Sequence, residues 1–190
     1  MAEKTKSASR SEAAVAVILS RRGGKPSILL IKRREIPGDP WSGDVALPGG
    51  RRRPEDLDLL STVVREVAEE VGIDLSGVDP SAVIGPFSSG YDPDLKVYAF
   101  VFSLGSGEAR TSAGEEVAEV FWAPIDELLA SRGEAVLPSG RRVRAYAWQG
   151  RVIWGLTYRV LTGFFRSREM ARLIQQLSGR EGTLAPSRES

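Results

Sequence analysis

The alternation of apolar and polar positions along this 190-residue chain predicts short strands, one well-marked helix and two polar ends. Ala13 to Leu19 and Ile28 to Ile31 are runs rich in branched apolar residues, separated by Arg21-Arg22-Gly23-Gly24-Lys25-Pro26, which reads as two strands joined by a turn. Asp39-Pro40-Trp41-Ser42-Gly43 interrupts the pattern, and a short strand over Asp44 to Leu47 stops at Pro48-Gly49-Gly50. From Asp58 to Val71, Leu60, Val63, Val64, Val67 and Val71 recur at three- and four-residue spacing, the mark of a helix with one buried stripe, and Gly72 ends it. Ala82 to Ile84, Lys96 to Leu104 and Val117 to Trp122 read as strands, and Pro124 to Leu129 opens a short helix. Arg142 to Trp148 and Arg151 to Trp154 predict a hairpin around Gln149-Gly150, followed by one helix from about Leu156 into Arg168 to Leu177. This order gives an α/β fold: a mixed sheet with helices on both faces.

Met1 to Ser11 and Gly179 to Ser190 are rich in Ser, Gly, Pro and charge, so residues 1–11 and 179–190 are expected as frayed tails around a single domain over 12–178. Lys plus Arg total 26 against 25 Asp plus Glu, without the basic excess of a dedicated nucleic-acid binder; any grip on phosphate must be local. Cysteine and histidine are both absent, which excludes disulfides, thiolate catalysis, the usual zinc sites and every histidine triad. A general base must then be a carboxylate, a Lys, a Tyr or a metal-bound hydroxide. No apolar run approaches the roughly 20 residues of a membrane span and the start carries no signal-peptide pattern, so a cytoplasmic location is the default expectation.

The chemistry concentrates in Arg65-Glu66-Val67-Ala68-Glu69-Glu70-Val71-Gly72-Ile73. At about 100° per residue, Glu66, Glu69 and Glu70 fall in one sector of the helix, apart from the apolar stripe. Like charges at this spacing destabilise a bare helix by a few tenths of a kcal/mol per pair, and a divalent cation would compensate them. Hard oxygen ligands suit Mg2+, with Mn2+ as a substitute, and such ions also bind phosphate oxygens. Standing alone, the three acids would read better as a solvated helix face.

What changes that reading is the company they keep. Gly49-Gly50 ends a strand just before the helix, and with Arg65, Glu66, Glu69, Glu70 and Gly72 it resembles the box of the Nudix hydrolase superfamily: a glycine, a spaced acid and R-E-U-x-E-E-x-G-U, where U is aliphatic. The second half matches throughout. In the first half Gly50 lies one position farther from Arg65 than in the commonest form, and Leu57 stands where its spaced Glu would fall, leaving Glu55 or Asp56 to replace it. That longer spacing is similar to the coenzyme A diphosphatase branch, approximately G-G-x-x-D-x-x-D before R-E-x-x-E-E; here Asp56 matches the second acid and Arg53 replaces the first. Trp41 to Leu47 and Val152-Ile153-Trp154-Gly155-Leu156-Thr157 also look like that branch.

The resemblance implies a Nudix-type α/β/α sandwich and magnesium-dependent hydrolysis of a diphosphate linkage. It implies Glu66, Glu69, Glu70 and the Gly50 carbonyl as metal ligands, with Glu69 and Glu70 catalytic and Arg65 fixing the glutamates. A further acid is expected at Glu115 or Glu116, of which Glu116 is the candidate catalytic residue. Arg33, Arg34, Arg51 and Arg52 flank the glycines and are candidate phosphate contacts, since guanidinium forks match phosphate oxygens. Trp41, Tyr91 and Trp154 are candidates for stacking on a base. The implied substrate is a small nucleotide, coenzyme A or an acyl derivative, against ADP-ribose, another nucleotide, or a non-catalytic sensing module. RNA decapping would have to rest on Arg141, Arg142, Arg144 and Arg151. Oligomeric state is left open between monomer and homodimer.

Overall fold

The computed structural model describes residues 11–38, 42–90, 92–105 and 109–178. Its elements run β1 (Glu12–Arg22), β2 (Lys25–Arg33), β3 (Val45–Ala46), β4 (Gly49–Arg51), α1 (Leu59–Val71), β5 (Ala82–Ser88), β6 (Lys96–Ser103) and β7 (Val117–Pro124). They continue with α2 (Ile125–Ala130), β8 (Arg132–Val136), β9 (Arg142–Trp148), β10 (Arg151–Ile153), α3 (Gly155–Phe165) and α4 (Arg168–Ser178). β1 to β7 form one mixed sheet along the path β3-β2-β1-β6-β5, with β4 on β1 and β7 on β2, and β10-β9-β8 form a second. The expected mixed sheet with helices on both faces is the architecture found.

β1 and β2 are almost continuously buried because each face of the sheet is covered. Val17, Leu19, Ile28 and Leu30 point to one side, against Tyr146, Trp148, Phe164, Leu173 and Leu177 from β9, α3 and α4. Ala14, Ala16, Ile18, Leu29 and Ile31 point to the other, where Val63, Val67 and Val71 of α1 pack. Each of those three valines is fully buried, worth roughly 1.5–3 kcal/mol apiece. Asp58 caps α1: its side chain accepts from the Ser61 N–H at 2.7 Å, while Ser61 Oγ accepts from the Asp58 N–H at 2.9 Å.

Three elements differ from the sequence expectation. Gly49-Gly50 does not merely end a strand; Gly49–Arg51 is itself paired antiparallel with β1, Ala14 opposite Gly50. β8 is an unexpected strand, because Arg132–Val136 is mostly exposed and gains its order from β9 rather than from apolar patterning. The carboxy-terminal helix is two helices, broken at Arg166-Ser167, where Ser167 Oγ donates to the Phe164 carbonyl at 2.7 Å and accepts from the Met170 N–H at 3.3 Å. No helix among the described residues is long and apolar enough to cross a membrane.

Candidate active site

The glycines of β4 let α1 press two carboxylates against the strand. A Cβ on Gly50 would stand 2.5 Å from Glu66 Oε1, and one on Gly49, at φ 146°, would stand 2.2 Å from the Ala14 carbonyl oxygen. Only glycine fits at Gly49, where the clash is with backbone, whereas a side chain at Gly50 would have to displace the Glu66 carboxylate. The Gly49 N–H donates to Glu70 Oε2 at 2.8 Å. Glu70 is 7% exposed, and burial pushes its carboxyl up to about 7, with the neighbouring Glu66 and Glu116 carboxylates adding to the shift and the Gly49 hydrogen bond and Arg33 opposing it.

Arg65 organises the next layer. Its Nε and Nη2 donate to Asp56 Oδ1 and Oδ2 at 3.0 and 2.9 Å, while Nη1 donates to Glu66 Oε1 at 2.7 Å and Glu69 Oε2 at 3.3 Å. Asp56 also accepts from the Arg53 N–H at 2.8 Å and Thr62 Oγ1 at 2.9 Å. The Arg65 fork, ahead of these other donors, holds the Asp56 carboxyl well below the usual carboxylate range. Of the two acids open to replace the spaced Glu, Asp56 is the one anchored to the box, while Glu55 is exposed.

Glu66 and Glu69 share the Arg65 Nη1 donor and Glu70 feels the Glu66 and Glu116 carboxylates, although among the described residues no group of three acids is arranged as a ready ion cage. The helix turns Glu70 inward onto Gly49 and leaves Glu69 exposed, where Arg53 Nη1 and Nη2 donate to its two oxygens at 3.3 and 3.2 Å. Arg53, standing where the branch pattern has an acid, therefore neutralises Glu69. The remaining donor set of Glu66, Glu70 and the adjoining Gly50 backbone still fits a hard divalent cation chemically. It is oxygen-only, crowded and mostly desolvated, with Arg65 on Glu66 and the more distant Arg33 acting on Glu70 as its cationic neighbours.

Glu116 reaches the same neighbourhood because Gly114 N–H bonds the Glu70 carbonyl at 3.0 Å, tying the loop before β7 to the end of α1. Its Oε2 lies 3.7 Å from Arg33 Nη2, whereas Glu115 is simply exposed. Arg33 and Arg51 line a cleft of about 830 Å3 that also includes Gly49 and Gly50. Arg34 and Arg52 are not among its lining residues. Arg34 bonds the Val117 carbonyl at 3.4 Å and Arg52 the Leu57 carbonyl at 2.8 Å, so both tie backbone together. None of Glu66, Glu69, Glu70 and Glu116 lines the cleft either; Glu66 and Glu70 abut the two glycines that do.

Further lining of the cleft comes from β9 and α3. Trp154, a candidate stacking residue, lines it with its Nε1 donating to Asp44 Oδ1 at 2.9 Å and the Arg141 guanidinium 4.9 Å from its ring centre. Trp41 and Tyr91 lie outside the described residues. The Arg141, Arg142, Arg144 and Arg151 group is divided: Arg141 and Arg144 line the cleft, Arg142 pairs with Glu134 at 3.8 Å, and Arg151 pairs with Glu119 against Phe121 and Trp148. Arg159 in α3, also in the lining, had no distinguishing mark in the sequence beyond lying two residues after the Val152–Thr157 segment.

The model of the NUDIX domain matches residues 10–144 of this chain. An uncharacterized Nudix hydrolase of Photorhabdus laumondii, NudL, is 34% identical over 144 residues, covering 72% of this chain and 74% of that protein. The peroxisomal coenzyme A diphosphatase of Mus musculus is 34% identical over 122 residues, covering 64% of this chain; the match spans 50% of the mouse enzyme. A crystal structure of a MutT/nudix family protein from Enterococcus faecalis shares the fold with a TM-score of 0.56 at 17% identity, over 86% of this chain and 66% of that one.

Proposed function

This chain belongs to the Nudix hydrolase family, and from that membership we propose that it splits the diphosphate linkage of coenzyme A or an acyl derivative, releasing 3′,5′-ADP and a phosphopantetheine. One observation carries the choice of substrate. The two segments that look like the coenzyme A branch, Trp41 to Leu47 and Val152 to Thr157, are far apart in sequence yet meet through the 2.9 Å hydrogen bond between Trp154 and Asp44, beside Gly49-Gly50 in one cleft. The 34% identity to the mouse coenzyme A diphosphatase supports the same reading.

In this reading Glu66, Glu70 and the Gly50 carbonyl would hold Mg2+ or Mn2+, and Glu69, now bonded to Arg53, would be a further ligand. When bound, the ion would polarise the phosphoryl oxygen and offset developing charge. Arg65, anchored on Asp56, fixes the Glu66 carboxylate, and Glu116 contributes its acid from the loop before β7. Arg33 and Arg51 bind the diphosphate oxygens at the cleft floor.

The test is product analysis by chromatography after incubating the protein and magnesium in parallel with coenzyme A, ADP-ribose and a nucleoside triphosphate. Release of 3′,5′-ADP from coenzyme A is expected. Cleavage of ADP-ribose or the triphosphate alone would discard the substrate and keep the chemistry, and tight nucleotide binding with no product from any of them would favour a sensing module.

A further inference from the structure

The cleft has a charge imbalance that its diphosphate chemistry does not use. Its lining carries five arginines, Arg33, Arg51, Arg141, Arg144 and Arg159, against the single carboxylate of Asp44. Two of the five belong to the floor and have acidic partners: Arg33 faces Glu116 at 3.7 Å and Arg51 bonds Asp92 at 2.8 Å. The other three come from the segment at β9 and from α3, and none of them is in a salt bridge with a described carboxylate. Arg141 rests over the Trp154 ring and Arg159 donates to the Ser88 carbonyl; neither contact neutralises charge.

A single exposed arginine is ordinarily solvated and means nothing. Three of them, brought from the residue just before β9, from β9 itself and from α3 into the lining of one concave site, add like charge that an anion bound there would offset. The same lining includes the apolar Val15, Leu47, Leu95, Val97 and Leu156. A ligand matching this lining carries an anionic group for these three arginines in addition to the one met by Arg33 and Arg51, together with an uncharged portion for the apolar residues.

We propose that Arg141, Arg144 and Arg159 form a second anion subsite that selects substrates bearing a phosphomonoester in addition to the scissile diphosphate. The inference rests on the proposed function, in which that group is the ribose 3′-phosphate of coenzyme A. The three arginines touch neither the reacting phosphorus nor the helix carboxylates; they set which nucleotide is accepted.

The experiment compares coenzyme A with 3′-dephospho-coenzyme A as substrates for the wild type, Arg141→Ala, Arg144→Ala, Arg159→Ala and the Arg141→Ala/Arg144→Ala double variant. One lost charge-assisted phosphate contact corresponds to about tenfold in affinity. Wild-type kcat/KM is expected to favour coenzyme A by about tenfold or more, and each variant to lose that preference through KM while turning over the dephospho compound at the wild-type rate. Arg144→Lys should recover part of the preference, because it restores the charge without the fork. Equal treatment of the two substrates by the wild type, or equal losses on both in the variants, overturns the proposal.

A binding arm separates this failure from failure of the substrate assignment. Calorimetry with 3′,5′-ADP and with AMP reads the subsite without turnover. Tighter binding of 3′,5′-ADP that disappears in the double variant upholds the subsite even if coenzyme A is not cleaved. Equal affinity for the two nucleotides overturns it even if coenzyme A is cleaved.

Discussion

Replacing Glu70 by Gln should make the metal-free protein more stable at alkaline pH while removing its activity. The Glu70 carboxyl is driven up to about 7 from an ordinary 4.5, chiefly by burial. A carboxyl raised in the folded state favours folding while it is protonated, so its contribution is complete below the unfolded value and is lost as pH rises through the folded one. For these two values the loss between pH 5 and pH 8 is about 2.5 kcal/mol. The Gln side chain keeps an oxygen for the Gly49 N–H and does not ionise, so the variant lacks this loss. Urea unfolding of both proteins in chelator at pH 5 and pH 8 reads the quantity directly, since every pH-independent consequence of the substitution cancels between the two pH values. The stability difference, variant minus wild type, should grow by about 2.5 kcal/mol from pH 5 to pH 8. Parallel changes in the two proteins would refute the assignment of Glu70 as a desolvated acid that a cation must compensate.

Other perturbations test the frame around it. Asp56→Asn breaks a fork whose acid is 5% exposed at the side chain and should cost about 3 kcal/mol at pH 7 in chemical denaturation. Because the Asp56 carboxyl is held below its ordinary range, its contribution is present above the unfolded value near 3.8 and fades as pH falls further, so wild type and variant should converge in acid. Gly49→Ala places a Cβ on the Ala14 carbonyl at a positive φ and should cost about 3 kcal/mol or more, visible as a large fall in Tm or as insoluble protein. Trp154→Phe removes the hydrogen bond to Asp44 and should lower stability by about 1 kcal/mol while raising KM for coenzyme A more than it lowers kcat.

The helix and its motif were legible in the sequence because both depend on local spacing. Val63, Val67 and Val71 repeat at the helical period, Asp58 sits where a cap belongs, and Arg65 to Gly72 is a contiguous motif. β8 and the short β4 were not legible. Arg132–Val136 has no alternating pattern, and Gly49–Arg51 is three residues with two glycines, so each is a strand only because a partner strand holds it. Four arginines near the glycines looked equivalent, yet Arg33 and Arg51 line the cleft while Arg34 and Arg52 bind backbone. Proximity in sequence does not fix which side of a turn a long side chain takes.

By itself the sequence determined the family, the α/β architecture and the acidic helix, since contiguous residues encode periodicity and motif without reference to the rest of the chain. Tertiary structure alone decided that Glu70 is buried on Gly49 while Glu69 faces Arg53, that Asp56 anchors Arg65, and that Trp154 crosses to Asp44. These depend on how far a carboxylate is withdrawn from water and on which charge stands opposite it. Desolvation and pairing across the fold are set by packing between distant segments, and no local pattern records them.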